Sequence, residues 1–188
     1  MYVNADRDKA EEAVLPGGFI KEQNNVGLLG AKDTMDTPFT VSTISNKAFE
    51  KYTSPYQGIG DALSFDPSVR ADRGGTYTDI SIRGIYQSGH SFYVNGIPGL
   101  MDQQNIPLYW VDSVSVTSGP NLGVNGSTFS EAVGGVVNMN SKKAGSAPNT
   151  DLKLTYRGGS SFEEGVDVGR RFGDNDRWGV RVTANNVQ

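Results

Sequence analysis

Four glycine-centred groups follow one another in a fixed order through the middle of this chain. They are Ile82-Arg83-Gly84, Val94-Asn95-Gly96-Ile97-Pro98, Ser118-Gly119-Pro120 and Gly134-Gly135-Val136-Val137-Asn138. Each stands at the end or start of a short β-like run. Glycine is the residue that takes positive φ or lets a second backbone come close. A chain punctuated this way folds into short strands with tight turns and excludes long helices. Glycine makes up 24 of 188 residues, nearly twice the usual ~7%, and the excess falls at turns and strand ends.

Between these anchors the pattern has period two. Phe39 to Ser45 is β-branched and bounded by Pro38 and Asn46, which predicts a strand. Asn46 opens a short helix through Tyr52, with Glu50 near the capping-box position. Tyr56 to Phe65 reads as a second short helix, with Ile59, Ala62 and Leu63 on one face and Asp66-Pro67 as its stop. Asp79 to Ile85, Phe92 to Asn95, Val111 to Thr117 and Gly134 to Asn140 read as further strands, the second ending in an Asn-Gly turn. Short strands with small helices between them predict an α+β globule around a small mixed β-sheet.

The pattern changes on both sides of this region. Residues 1–37 are polar and weakly patterned, with a mixed charge run from Asp6 to Glu12, and read as a flexible N-terminal arm. After residue 145 come three longer alternating stretches. Leu152, Leu154 and Tyr156 share one face of the first; Val166, Val168 and Phe172 share one face of the second, interrupted by Arg170. Trp178, Val180, Val182 and Ala184 share one face of the third. Strands of about ten residues with one apolar face and a short turn, here Gly173 to Asp176, are the mark of a membrane β-barrel. A soluble antiparallel meander fits the same alternation. The expected organisation is an arm over 1–37, a compact α+β domain over 38–145 and barrel-like strands over 146–188.

Chemistry is scarce. Net charge is −4, so no basic field recruits nucleic acid, and the absence of cysteine excludes disulfides and thiol nucleophiles. His90 is the only histidine; Ser88 and Asp102 lie near it, but no Gly-x-Ser-x-Gly elbow exists. Asp174 and Asp176 lack the ligand ladder of an EF-hand and read as a turn. Gly119 to Gly123 lacks the Gly-Lys-Ser/Thr of a phosphate-binding loop. An enzyme is not expected, and neither is a metal site. Three polar loops are better candidates for binding. Arg73-Gly74-Gly75-Thr76-Tyr77, Tyr86-Gln87-Ser88-Gly89-His90 and Gly99 to Gln104 combine cations, amides and aromatic rings between rigid strands. Plain connecting loops are the other reading.

The four glycine groups, in this order and spacing, resemble the plug domain of TonB-dependent outer-membrane receptors. Val26-Gly27-Leu28-Leu29-Gly30 with Asp33 to Phe39 resembles the plug entry of the siderophore-receptor subgroup, and Asp61-Ala62-Leu63 with Asp66 to Val69 resembles a further family segment. Tyr2-Val3-Asn4-Ala5 is similar to the end of a TonB box. The resemblance implies a plug followed by the first strands of a barrel of about 22 strands. It implies an outer-membrane location and part of a longer protein, the piece alone behaving as a soluble plug with an aggregation-prone tail. It implies a ferric siderophore as transported ligand, with no covalently bound cofactor; heme or a cobalt corrinoid is the open alternative. Carried over by position, Arg73, Gly74, Tyr77, Tyr86, Gln87, Ser88, Leu100, Met101, Asp102 and Gln103 would meet ligand, Tyr2, Val3, Asn4 and Ala5 would meet the TonB partner, and Arg83 would contact the barrel. The chain departs from the family where Ser115 and Ser118 replace the usual Glu and Arg, so the family's full plug-to-barrel ion network is not expected. A soluble β-rich interaction or carbohydrate-binding module is the competing class.

Overall fold

The structure, a computed structural model, describes residues 15–16, 20–21, 23–25, 31–37, 39–52, 58–72, 78–87, 92–101, 106–120, 133–157 and 161–187. They divide into two compact units, the first within Lys9–Ser141 and the second within Lys142–Gln188.

The first unit is built on a five-stranded sheet. Its strands are β3 (Thr40–Ser45), β7 (Phe92–Val94), β8 (Ile97–Pro98), β9 (Val111–Ser118) and β10 (Gly135–Ser141), in the spatial order β3-β9-β10-β7-β8. β10 runs parallel to β7 and every other pairing is antiparallel, so the sheet is mixed. Two short helices follow β3: α1 (Asn46–Tyr52) and α2 (Ile59–Leu63). A separate three-stranded meander joins β4 (Val69–Asp72), β5 (Asp79–Ile82) and β6 (Ile85–Gln87). The core gathers one face of each element: Ile44, Phe49, Leu63, Ile80, Ile82, Phe92, Val114, Val116, Val137 and Met139 are all buried in one cluster. Each such side chain contributes about 1.5–3 kcal/mol of burial. Asp66 ties α2 to the sheet, because its carboxylate accepts from the Ser68 N–H at 2.8 Å and from the Ser42 hydroxyl.

Two tight turns carry the first two glycine groups. Arg83-Gly84 connects Ile82 to its partner Ile85, and Asn95-Gly96 connects Val94 to its partner Ile97. All four turn residues have positive φ (51° and 80°, then 52° and 81°), as a two-residue type I′ hairpin requires. Asn95 suits that turn and is further held, its Oδ1 accepting the Ser141 N–H at 2.9 Å. The strand expected over Asp79 to Ile85 is therefore a hairpin that reverses at Arg83. No turn residue announces this reversal except Gly84.

The expected arm over 1–37 also differs in its latter part. β1 (Gln23–Asn25) pairs antiparallel with β2 (Ala31–Asp33). Ile20 bridges Ile44 on the edge of β3, and the Lys21 ammonium lies 2.7 Å from Asp112. These few residues gain order from contacts distant in sequence, which local composition does not report. The unit boundary falls between Ser141 and Lys142 rather than at residue 145.

The second unit is an open antiparallel sheet of β11 (Asn149–Arg157), β12 (Ser161–Phe172) and β13 (Trp178–Val187), in sequence order. Its register stacks Leu152, Val166 and Ala184 in one row, Thr150, Val168 and Val182 in the next, and Phe172 beside Trp178 at the turn. That apolar face is open: Leu152 is 68% exposed and Trp178 69%. On the opposite face Asp167 is buried. Arg181 donates to both of its oxygens, at 2.7 and 2.8 Å, and the Lys142 ammonium lies 3.3 Å away. Arg181 also donates to the Lys143 carbonyl at 2.8 Å, and Arg171 to the Ala144 carbonyl at 3.1 Å. Buried Ala144 lies against Gly179, where an added Cβ would come 3.1 Å from the Ala144 Cβ. The segment entering the sheet is thus strapped across it by one carboxylate, two guanidiniums and a glycine-sized gap.

Two substitutions test these arrangements. Gly135 has φ +145° and a Cβ there would run into the Thr117 carbonyl, so Gly135→Ala is expected to cost about 2–4 kcal/mol in denaturant unfolding. Asp167→Asn removes the shared anion of a largely buried cluster, for which a loss of about 3–5 kcal/mol is typical. Hydrogen exchange across residues 142–145 is expected to accelerate in that variant; unchanged protection there would contradict the strap.

Candidate functional site

Strand register decides which loops meet. Asp72 pairs with Asp79 at one end of the β4–β5 ladder, and Gln87 pairs with Ile80 at that same end. The connection over 73–77 and the one starting at 88 therefore leave the meander together, while the Arg83-Gly84 turn closes its opposite end. The second connection enters the five-stranded sheet at Phe92. β8 runs back beside β7, with Tyr93 opposite Pro98, so Gly99 emerges next to Phe92. The bases of three successive loops are thus brought together in two steps. These are the three polar loops singled out by composition.

Of the expected ligand-facing residues, Tyr86, Gln87, Leu100 and Met101 are described. Tyr86 is 59% exposed and donates its hydroxyl to Asp79 Oδ1 at 3.0 Å, which fixes the ring at the mouth of the meander. Leu100 is 58% exposed, and Met101 is half-buried with its side chain packed on the core. Gln87 departs from expectation. It is only 1% exposed, its amide donates to the Ile85 carbonyl at 3.0 Å, and it lies under Gly134. The hairpin at Arg83 turns residue 87 onto the same face as Ile80, so Gln87 is an interior polar residue and not a surface contact. Arg73, Gly74, Tyr77, Ser88, Asp102 and Gln103 lie outside the described residues, as do His90 and Tyr2, Val3, Asn4 and Ala5. Asp79 was missed by sequence reasoning. Its one signal is its place at a strand start beside an arginine- and tyrosine-bearing loop.

Arg83 sits at the far end of the meander. Its side chain is exposed and donates to Thr40 Oγ1 at 3.1 Å. The second face of the five-stranded sheet carries hydroxyls and amides. Thr43 and Ser115 share a hydrogen bond of 2.9 Å, and Asn140 donates to Ser113 at 3.1 Å. Ser118 is buried on the same strand, with no partner for its hydroxyl among the described residues. The positions of the missing charges therefore hold a neutral ladder at Ser115 and a bare hydroxyl at Ser118. Among the described residues nothing assembles a nucleophile with a base. The exposed phenol, the carboxylates at the loop bases and the apolar Leu100 make a surface suited to binding.

A family model for the TonB-dependent receptor plug domain matches residues 33–136. The ferrichrome receptor FcuA of Yersinia enterocolitica is 33% identical over 168 residues, which is 88% of this chain and 22% of that protein. The solved ferric preacinetobactin receptor BauA of Acinetobacter baumannii is 32% identical and superimposes with a TM-score of 0.84, over 93% of this chain and 26% of its own. The siderophore receptor PiuA, also of Acinetobacter baumannii, is 26% identical with a TM-score of 0.69, over 83% of this chain and 22% of its own. This chain therefore spans about a fifth to a quarter of the length of these relatives. The relatives are receptors. The chain belongs to the TonB-dependent receptor plug-domain family.

Proposed function

We propose that this chain is the plug region, with the first wall strands, of an outer-membrane receptor that takes up a ferric siderophore with energy supplied through TonB. The observation that carries the reading is the succession along one chain: a plug-family match over residues 33–136, then three paired strands with an open apolar face. Such a face is suited to lipid. FcuA is a receptor for ferrichrome and BauA for ferric preacinetobactin, and this favours a siderophore over heme or a corrinoid. The iron is cargo, held by its chelator.

Ligand would be met by the loops whose bases converge: Arg73, Gly74 and Tyr77 on the first, Tyr86 and Ser88 on the second, Leu100, Met101, Asp102 and Gln103 on the third. A guanidinium supplies directed donors to the oxygens of a chelate, and the fixed ring of Tyr86 supplies a wall. Gln87 is left out because it is interior. Tyr2-Val3-Asn4-Ala5 would meet TonB by adding a strand to it. Arg83 would reach the barrel wall. A side chain at φ 51° in a position that suits Asn or Gly carries strain of about 1–2 kcal/mol, and strain kept at an exposed arginine points to a task for that side chain.

The test uses the full-length receptor in a Gram-negative host stripped of its own siderophore receptors. Uptake of radiolabelled ferric siderophore is expected to appear with the receptor and to vanish when TonB is deleted; uptake that persists without TonB overturns the reading. Arg73→Ala is expected to weaken half-saturation about ten-fold or more, the loss of a charged hydrogen bond worth ~1.5–3 kcal/mol. Gln87→Ala is expected to lower the amount of folded receptor while leaving half-saturation unchanged. Arg83→Asn relaxes the turn, so the expected outcome is a more stable plug and slower uptake; equal uptake would remove Arg83 from the mechanism.

A further inference from the structure

We propose that the turn end of the wall sheet binds a zwitterionic phospholipid whose headgroup carries a primary ammonium beyond its phosphate. This rests on the membrane reading above. Phe172 and Trp178 form the last row of the open face, at 51% and 69% exposure. At the other end the row is Tyr156 beside Phe162. From Phe162 to Phe172 the strand advances about 33 Å along its axis at ~3.3 Å per residue. At a tilt of ~45° that is about 23 Å along the membrane normal, close to the height of a barrel's apolar band. The aromatic rows stand at the two ends of this face, each with a charged residue one row inside it, Arg170 at one end and Glu164, bonded to Asn186, at the other, and we place the headgroup levels there.

Charge is ordered at the turn end. Arg170 lies one row inside Phe172, paired with Val180, and the next two rows inward hold Thr150, Val168 and Val182, then Leu152, Val166 and Ala184. Its guanidinium is held in place, with Nη1 donating to the Asn149 carbonyl and, at 2.8 Å, to the Gly169 carbonyl, and Nη2 to Thr150 Oγ1 at 2.7 Å. That leaves Nε–H and one Nη2–H as directed donors. Beyond the Phe172 row the turn Asp174–Asp176 presents two exposed carboxylates, followed by exposed Arg177. Outward from the apolar band the order is cation, then anions. A phospholipid presents the reverse: phosphate nearest the hydrocarbon, ammonium beyond it. The fixed fork of Arg170 suits the phosphate oxygens, and the turn carboxylates suit a primary ammonium with three donors. A headgroup with phosphate but no ammonium would meet Asp174 and Asp176 unfavourably, and a trimethylated one offers them no N–H.

The experiment reconstitutes the full-length receptor in nanodiscs of equal phosphatidylethanolamine, phosphatidylcholine and phosphatidylglycerol, and counts retained lipids by native mass spectrometry. Wild type is expected to retain phosphatidylethanolamine above the other two. Arg170→Gln is expected to lower that retention about five-fold, the size of one exposed charged contact, with Arg170→Lys intermediate. Asp174→Asn with Asp176→Asn is expected to erase the preference over phosphatidylcholine. Retention unchanged in Arg170→Gln, or phosphatidylglycerol held as well as phosphatidylethanolamine, overturns the headgroup site while leaving an inserted receptor. A receptor that never inserts overturns the membrane reading itself, and this site with it.

Discussion

Burying both faces of β9 is the constraint on which the first unit depends. Val114 and Val116 press into the core on one side, while Ser113, Ser115 and Thr117 are buried on the other. An unsatisfied buried hydroxyl costs about 1–3 kcal/mol, so the strands flanking β9 must bring polar partners in register. β3 supplies Thr43 opposite Ser115, and β10 supplies Asn140 opposite Ser113. One misplaced residue would set valines against hydroxyls along the whole ladder. The polar ladder fixes pairing as firmly as the apolar face does. It also means that a plug can be ordered around neutral groups.

The site inherits its geometry from this frame at second hand. β10 positions β7 by parallel pairing, β7 positions β8, and the loops open where β7 begins. The meander reaches the same place through Gln87, a buried amide directly before the second loop. An interior residue at that point anchors the loop base, and its amide finds an acceptor in the Ile85 carbonyl.

Much of this was legible in the sequence. Period-two alternation located β3, β9, β10 and the three wall strands, and Asn95-Gly96 declared its turn. What failed did so for identifiable reasons. Arg83 is not a turn-forming residue, so the hairpin at Ile82 was read as a continuing strand; with it went the facing of Gln87, which alternation across a turn inverts. Alternation over Val111 to Thr117 located the strand but says nothing of its polar face, which proves buried. β4 is too short to stand out and exists through its pairing with β5. β1 and β2 lie in polar sequence and are held by each other. Of the binding surface, composition found the loops, but the pairing of Tyr86 with Asp79 needed the register.

The strap at Asp167 differs from the rest in how near its parts lie along the chain. Asp167 is 25 residues from Lys142 and 14 from Arg181, whereas the Thr43–Ser115 contact spans 72. Short closures carry a smaller entropy cost and form sooner. The hairpins from Lys142 onward can therefore complete themselves, strap included, without waiting for the sheet upstream. Folding order is written into the connection. The three strands of the second unit are able to pair early, because none of their closures spans the long stretches of chain that the five-stranded sheet must bring together.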